Sequence, residues 1–587
     1  MNPISFDGCF GWFHPGDTSL GVVLCGPVGE EADYVYGVWR EFAERLAGAG
    51  LSTLRFDYPG LGDSLDLDPE RDPTTAWVDS IKAAMLWLTT EAAVQEVVIV
   101  GMRLGAGLAL RCAEEIGGVA RLVLIAPVAS GTAFQRELAL LAMLNEPGAP
   151  ASQAAPSEAA TVFTAEKTFD VADLRFARSA QKPARQVLIL ATHGSGAARS
   201  LGDRLALLGV EVMQEGFQGY AALMVRPETA LYPELAFGKV VDWLRAEARA
   251  LTDPSDPGAP RRPVTTALTP PGARETPHFF GDAARLFGVL CRPDAPRKGA
   301  PGILFLNTGA VPHAGMNRIW VSMARRYAAN GFTSLRFDIN GVGESAGRIE
   351  GADHQPVMKE ALADVGAAIG WLKAQGCSTI ILIGFCWGAQ LAFSAALADD
   401  RVTHLIMINA ARQFWDIETD SEPPRSLATY LRLLRDSAKW KNLRGGAISL
   451  ADLAGFVGRL IFASMKSMIE RVSGGGARSD KAIRKLRSLK ARGVETAMFH
   501  GEDDTFLSEI EDNLRVGRHG LAGLSGMHTH FFPGVHHRFA DDRSLAELVR
   551  VVGDHLSRLS RGKGARSDQA PGQSRAGHEH SPSTAAV

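Results

Sequence analysis

The sequence lacks any CxxC pair or metal-ligand spacing among its six cysteines, Cys9, Cys25, Cys112, Cys291, Cys377 and Cys386. That argues against a disulfide framework and fits a reducing compartment, so a cytoplasmic location is expected. Charge of one sign is also missing: 62 Lys and Arg against 65 Asp and Glu leave a net −3 over 587 residues. No global polyanion-binding character follows from such a balance. Aromatic residues make up only 7%, yet hydrophobic residues reach 46%, ample for packed cores. Collagen, coiled coil and bulk disorder are thereby excluded. The opening MNPISFDGCFGWF carries Asp7 and no basic stretch, unlike a secretory signal. There is no GxxxxGK[ST] phosphate cradle, and Gly341 to Gly343 follow RFD instead of opening a dinucleotide fingerprint, so no cofactor is expected.

One stretch without charge, Thr379 to Ala398, is 20 residues long, about the length that spans a bilayer. It divides into a β-branched run, a Gly-x-Cys-x-Gly turn and an alanine-rich segment, and its counterpart earlier in the chain carries Arg103. A strand followed by a helix is the expectation, not a membrane span.

That counterpart belongs to an internal repeat. GLSTLRFDYPGLGDS from Gly50 matches GFTSLRFDINGVGES from Gly331 at an offset of 281, and VVIVGMRLGAGLAL from Val97 matches IILIGFCWGAQLAF from Ile380 at 283. Two segments repeating in the same order at nearly the same spacing indicate a tandem duplication, with a period far too long for a solenoid. The expected division is one domain over 1–250, a proline-rich linker over 251–276, a second domain over 277–560 and a disordered tail over 561–587. An HEH triplet in the tail is too slight to assign a metal. In each half, short apolar runs alternate with helical stretches: Gly21–Cys25, Val97–Val100 and Arg121–Ile125, then Ile303–Leu306, Thr379–Ile383 and Thr403–Ile408. The alternation predicts an α/β fold with a mostly parallel sheet, whose ligands gather at the carboxyl ends of the strands.

Gly384-Phe385-Cys386-Trp387-Gly388 follows one such strand and opens a helix. Small flanking residues suit a strained turn that lifts one side chain above the sheet, at a helix N-terminus that favours a thiolate. With the RFDxxGxGxS segment, a GxxD loop and a late histidine, this order resembles the α/β-hydrolase superfamily in both halves. The halves further resemble hydrolases associated with exosortase and exopolysaccharide loci, and the Cys elbow is similar to that of dienelactone hydrolases. The resemblance implies a nucleophile at Cys386, an acid at Asp504 in HGEDD with Asp503 as the alternate, and a base at His537 in GVHHRF with His536 as the alternate. It also implies an oxyanion hole from the backbone N–H of Trp387 and one in NTGAVPHAG, near Thr308, Gly309 and Ala310.

The first half departs from this pattern. Arg103 stands at its elbow, ATHGSG contains no carboxylate, and Glu228 occupies the histidine position. A guanidinium does not deprotonate and cannot attack a carbonyl, so the first half reads as a catalytically dead support. Arg103 is expected to be a relic paired with Glu228, or else an anion clamp. His193 is a possible remnant without supporting neighbours.

An insertion over about 411–493 stands where this superfamily commonly carries its lid. Residues 425–492 hold 16 Lys and Arg against 4 Asp and Glu, a net +12 that leaves −15 for the rest. This suggests an acyl ester or thioester donor that is anionic, such as a coenzyme A thioester or an acyl group on an acidic carrier protein. Peripheral membrane contact through Asp452 to Val472 is an alternative, and an ordinary solvated face another. No nucleic-acid module matches, and the oligomeric state is open. The expected activity is acyl hydrolysis, as an esterase or thioesterase. Acyl transfer or cyclisation through the same acyl-Cys intermediate and a non-catalytic scaffold stand as the alternatives.

Overall fold

A computed structural model describes residues 1–92, 94–128, 130–137, 162–163, 168–169, 181–251, 266–347, 358–411, 476–514, 526–537, 539 and 542–562. Most of the proposed linker, residues 412–475 of the proposed lid, and the tail from 563 with its HEH lie outside the described residues.

The first half supplies β1 (Asn2–Phe6), β2 (Cys9–His14), β3 (Leu20–Cys25), β4 (Ser52–Phe56), β5 (Glu96–Met102), β6 (Val119–Ile125), the small pair β7 (Val162–Phe163) and β8 (Thr168–Phe169), β9 (Ala184–Ala191) and β10 (Glu211–Gly216). The second supplies β11 (Ala273–Phe280), β12 (Leu286–Pro293), β13 (Gly302–Phe305), β14 (Ser334–Asp338), β15 (Ile380–Phe385), β16 (Val402–Ile408), β17 (Glu495–Gly501) and β18 (His528–Phe532). The sheet orders are β1-β2-β4-β3-β5-β6-β9-β10 and β11-β12-β14-β13-β15-β16-β17-β18. Leaving out the separate β7–β8 pair, the two are the same order. In each, the second strand runs antiparallel to both of its neighbours, and the other pairings are parallel.

The central strands are apolar on both faces because helices cover both. Leu104, Leu108 and Ile81 pack on one side of the first sheet, and Phe42, Leu46 and Phe237 on the other. In the second half, Leu391, Ile369 and Leu489 lie on one side, and Trp320, Tyr327 and Leu548 on the other. Charge-free Thr379–Ala398 resolves into β15 and the helix Trp387–Ala398. Among the described residues no helix is long and apolar enough to cross a membrane.

The end of the insertion differs from expectation. The helix Gly476–Ala491 buries Ala482, Leu486 and Leu489 in the core and leads directly into β17. Its periodic apolar face makes it the crossover helix that parallel β16 and β17 require, not part of a lid. Seven of the 16 basic residues, from Arg478 to Arg492, therefore sit on the flank of the sheet.

The halves meet through the repeated segment itself. Arg55 on β4 holds Glu344 with both terminal nitrogens at 2.7 and 2.5 Å, and Arg336 on β14 reaches Asp63 at 3.2 Å. Arg55 matches Arg336 and Asp63 matches Glu344 at the offset of 281, so each half offers the other the same pair. This is the reciprocity of a two-fold contact within one chain. Phe10 and Trp12 of β2 pack against Phe287 and Val289 of β12, with the Trp12 and Phe287 rings 4.8 Å apart.

Candidate active site

β15 ends by delivering Cys386 at φ 54°, ψ −116°, and the helix Trp387–Ala398 begins at the next residue. A non-glycine residue at such an angle is strained and persists only when its surroundings hold it. Here Cys386 N–H donates to Ile408 O at 3.0 Å. A Cβ at Gly384 would lie 2.0 Å from Gly388 O, and one at Gly388 would lie 2.5 Å from Asn307 O. Both positions need glycine so that the helix start can close onto the strand and the neighbouring loop. Cys386 is the one cysteine of the six that is not buried. Burial pushes the thiols of Cys9 and Cys291 up to about 12, as expected of inert packing cysteines.

β17 and the segment after β18 bring Asp504 and His537 together. His537 Nδ1 lies 2.8 Å from Asp504 Oδ2, while Asp504 Oδ1 accepts Phe506 N–H at 2.9 Å. Burial disfavours the charged Asp504, but His537 outweighs it and holds the carboxyl below its usual range. Burial likewise opposes a charged His537. Cys386, and then Asp504, outweigh that and push the imidazole up to about 10. The edges of Phe506 and Phe385 flank the ring at centroid distances of 4.8 and 5.7 Å. The alternates Asp503 and His536 are both exposed, and the ring nitrogen of His536 is 3.4 Å from the Asp503 backbone carbonyl.

Two functional supports were not singled out in the sequence. Asn409 follows β16 at φ 39°, donates from Nδ2 to His537 O at 2.5 Å, and accepts Gly501 N–H on Oδ1 at 2.8 Å. It ties the histidine segment to the end of β17. Its signal was present: a polar side chain ending the apolar run LIMINA, where a buried amide needs partners. The second support is His500, whose Nδ1 is 3.6 Å from Asp504 Oδ2 and whose pKa burial lowers.

The proposed oxyanion residues stand around the same elbow. Trp387 is the first residue of its helix, where an N–H has no partner inside the helix. Thr308, Gly309 and Ala310 follow β13 in a loop clamped at both ends. Asn307 Nδ2 donates to Val311 O at 2.9 Å and to Asp338 Oδ1 at 3.0 Å. His313 N–H donates to Asp338 Oδ1 at 2.7 Å, and the His313 ring bridges Asp338 at 2.7 Å and Asp63 of the first half at 2.6 Å.

The first half repeats the backbone of this elbow with different side chains. Arg103 sits at φ 57°, ψ −121°, matching Cys386. Pro27 takes the place of Thr308 at the offset of 281, so that backbone donor is absent as well. The expected pairing of Arg103 with Glu228 is not what the fold makes. Arg103 Nε donates to buried Glu31 at 3.0 Å, and another of its nitrogens holds Glu137. Both partners are far from Arg103 in sequence. Glu228 instead reaches the second half, where a Cβ on Gly309 would lie 3.1 Å from its Oε1. His193 is exposed in a turn.

Residues 304–493 match the family model described as alpha/beta hydrolase fold. An uncharacterized protein of Rickettsia prowazekii (strain Madrid E) is 27% identical over 135 residues, which are 22% of this chain and 53% of that protein. The chain thus spans about half the length of that relative. Among solved structures, the proline iminopeptidase of Mycobacterium smegmatis is 16% identical, covering 48% of this chain and 98% of its own with a TM-score of 0.31. An α/β serine hydrolase without lid from Xanthomonas campestris is 16% identical, covering 50% and 96% with a TM-score of 0.28. The thioesterase domain from the curacin biosynthetic pathway is 17% identical, covering 48% and 99% with a TM-score of 0.27. With two mostly parallel eight-stranded sheets flanked by helices, the chain has the α/β-hydrolase fold, in an arrangement consistent with two tandem domains.

Proposed function

We propose that the second half is an acyl hydrolase, an esterase or thioesterase, working through Cys386, His537 and Asp504. The observation that carries this reading is a partly exposed cysteine on a strained elbow, whose neighbour Phe385 packs on a histidine with Nδ1 2.8 Å from a buried carboxylate. Asp504 orients the imidazole and stabilises its cation, and His537 takes the thiol proton. The thiolate attacks the acyl carbonyl carbon. The backbone N–H groups of Trp387 and of Thr308 to Ala310 take up the negative charge that forms on oxygen. His537 returns its proton to the departing alkoxide or thiolate, leaving an acyl-Cys386 thioester. Water, deprotonated by His537, then releases the acid and restores the thiol.

The first half acts in this reading as a wall, through Asp63 on His313 and Glu228 beside Gly309. The acyl donor is an anionic one, such as a coenzyme A thioester or carrier-linked acyl group. Residues 425–475 still hold nine Lys and Arg against three Asp and Glu after the flanking helix is set aside. The test is turnover of nitrophenyl acyl esters and acyl-coenzyme A thioesters by wild type, Cys386→Ala and Asp504→Asn. Activity in wild type that both substitutions reduce by at least about a hundredfold supports the reading. Equal rates in all three overturn it, and rates no higher than without protein favour a non-catalytic scaffold.

A further inference from the structure

The two repeats carry the same carboxylate in two different settings, buried in the second half and partly exposed in the first. In the second half, Asp338 receives Asn307 Nδ2 at 3.0 Å, His313 N–H at 2.7 Å and Glu344 N–H at 2.9 Å, with the His313 ring at 2.7 Å. Its counterpart in the first half, 281 residues earlier, is Asp57. Among the described residues, Asp57 keeps the equivalent of one of these bonds, from Asp63 N–H at 2.9 Å. Gly26 stands where Asn307 does and Ala32 where His313 does. Neither can supply an amide or an imidazole, and the Ala32 N–H is turned to Gly29 O at 3.0 Å.

The space those side chains would fill is a cavity of about 140 Å³ between the halves, lined by Gly26, Ala32 and Asp57. Tyr36, Trp39 and Tyr58 also line it. For scale, a dry cavity of about 150 Å³ accommodates benzene. The cations at its rim are already engaged. Arg55 is held by Glu344, Arg318 by Asp66, and His313 by Asp63 and Asp338. Burial, and then Asp63, push the Asp57 carboxyl up to about 7. A carboxylate so placed is stabilised by whatever donor reaches it.

We propose that this cavity is a binding site for a small planar nitrogen compound of the imidazole or amidine class. Its N–H groups bond Asp57 as Asn307 and His313 bond Asp338, and the aromatic wall receives its flat face. The site is separate from the Cys386 elbow, and its occupancy does not depend on turnover there.

The test is calorimetric titration of the full chain with two probes, 4-methylimidazole and acetamidinium, together with the thermal midpoint in their presence. Wild type is expected to bind at least one probe saturably, at one site per chain, and to melt higher with it. Asp57→Asn should weaken that binding by at least about tenfold. Ala32→His, which fills the cavity from the chain itself, should abolish it. Gly26→Asn fills the same space from the loop and should give the same loss, which keeps the test valid if Ala32→His does not fold. No saturable binding of either probe, or binding unchanged in the folded variants, overturns the proposal.

Discussion

Arg55 and Arg336 occupy the same place in the two repeats, and each crosses to the carboxylate that the other's repeat provides, Arg55 to Glu344 at 2.5 Å and Arg336 to Asp63 at 3.2 Å. Both arginines and both carboxylates are buried. Removing one partner leaves an uncompensated charge in a low-dielectric seam. Glu344→Ala is therefore expected to cost about 3–5 kcal/mol. Replacing Arg55 and Glu344 together by methionine should recover most of that loss. Denaturant unfolding of the single and double variants measures it, and an additive double variant would contradict the assignment.

The seam also explains which parts of the sequence were legible. RFDxxGxG[DE]S is repeated in both halves, including the one whose elbow carries Arg103. A motif kept where the elbow side chain differs belongs to structure, and here it forms the contact between the halves. The strands and the elbow were readable because apolar runs and flanking glycines are local signals. Gly384 and Gly388 serve that close approach. The partners of Arg103 were not readable, because Glu31 and Glu137 lie 72 and 34 residues away and belong to no motif. The insertion ends earlier than its run of charge suggests. The charges on Gly476–Ala491 are evident in the sequence, but Ala482, Leu486 and Leu489 bury its other face.

Arg103 makes a prediction about pH. Burial raises the Glu31 carboxyl to about 7 although Arg103 opposes it. A carboxyl raised in the folded state binds more protons there, so its contribution to stability falls as pH rises from about 4.5 through about 7. Arg103→Met removes the opposing charge and raises Glu31 further. The variant should be clearly less stable than wild type at pH 8 and close to it at pH 5. Thermal unfolding at the two pH values measures this, and equal destabilisation at both would contradict it.

On the proposed mechanism, His537 sets the alkaline side of activity. Its folded-state value of about 10 lies above the ordinary 6.5. The stabilisation from its charged form is thus fully present below about 6.5 and is lost as pH rises through about 10. Turnover should hold to near pH 10 and then fall, as the leaving group loses its proton donor. Asp504→Asn should move that limb to lower pH. A limb at the same pH in both proteins would contradict the coupling.

Asn409 holds the histidine segment by its backbone. Asn409→Ala removes the bonds to His537 O and Gly501 N–H. It is expected to lower kcat by about a hundredfold, the scale of a misplacement of about 1 Å, with a smaller change in KM. Asn409→Asp, which keeps the acceptor for Gly501 N–H, should recover part of the loss. A change confined to KM would contradict a positioning role.

The central claim is that Cys386 accepts an acyl group, and intact-protein mass spectrometry tests it most directly. Wild type and Cys386→Ala are exposed briefly to a panel of activated acyl esters and acyl thioesters. The predicted result is an acyl mass increment in wild type alone, which disappears on standing as water releases the acid. An increment in both proteins, or in neither across the panel, would contradict the claim.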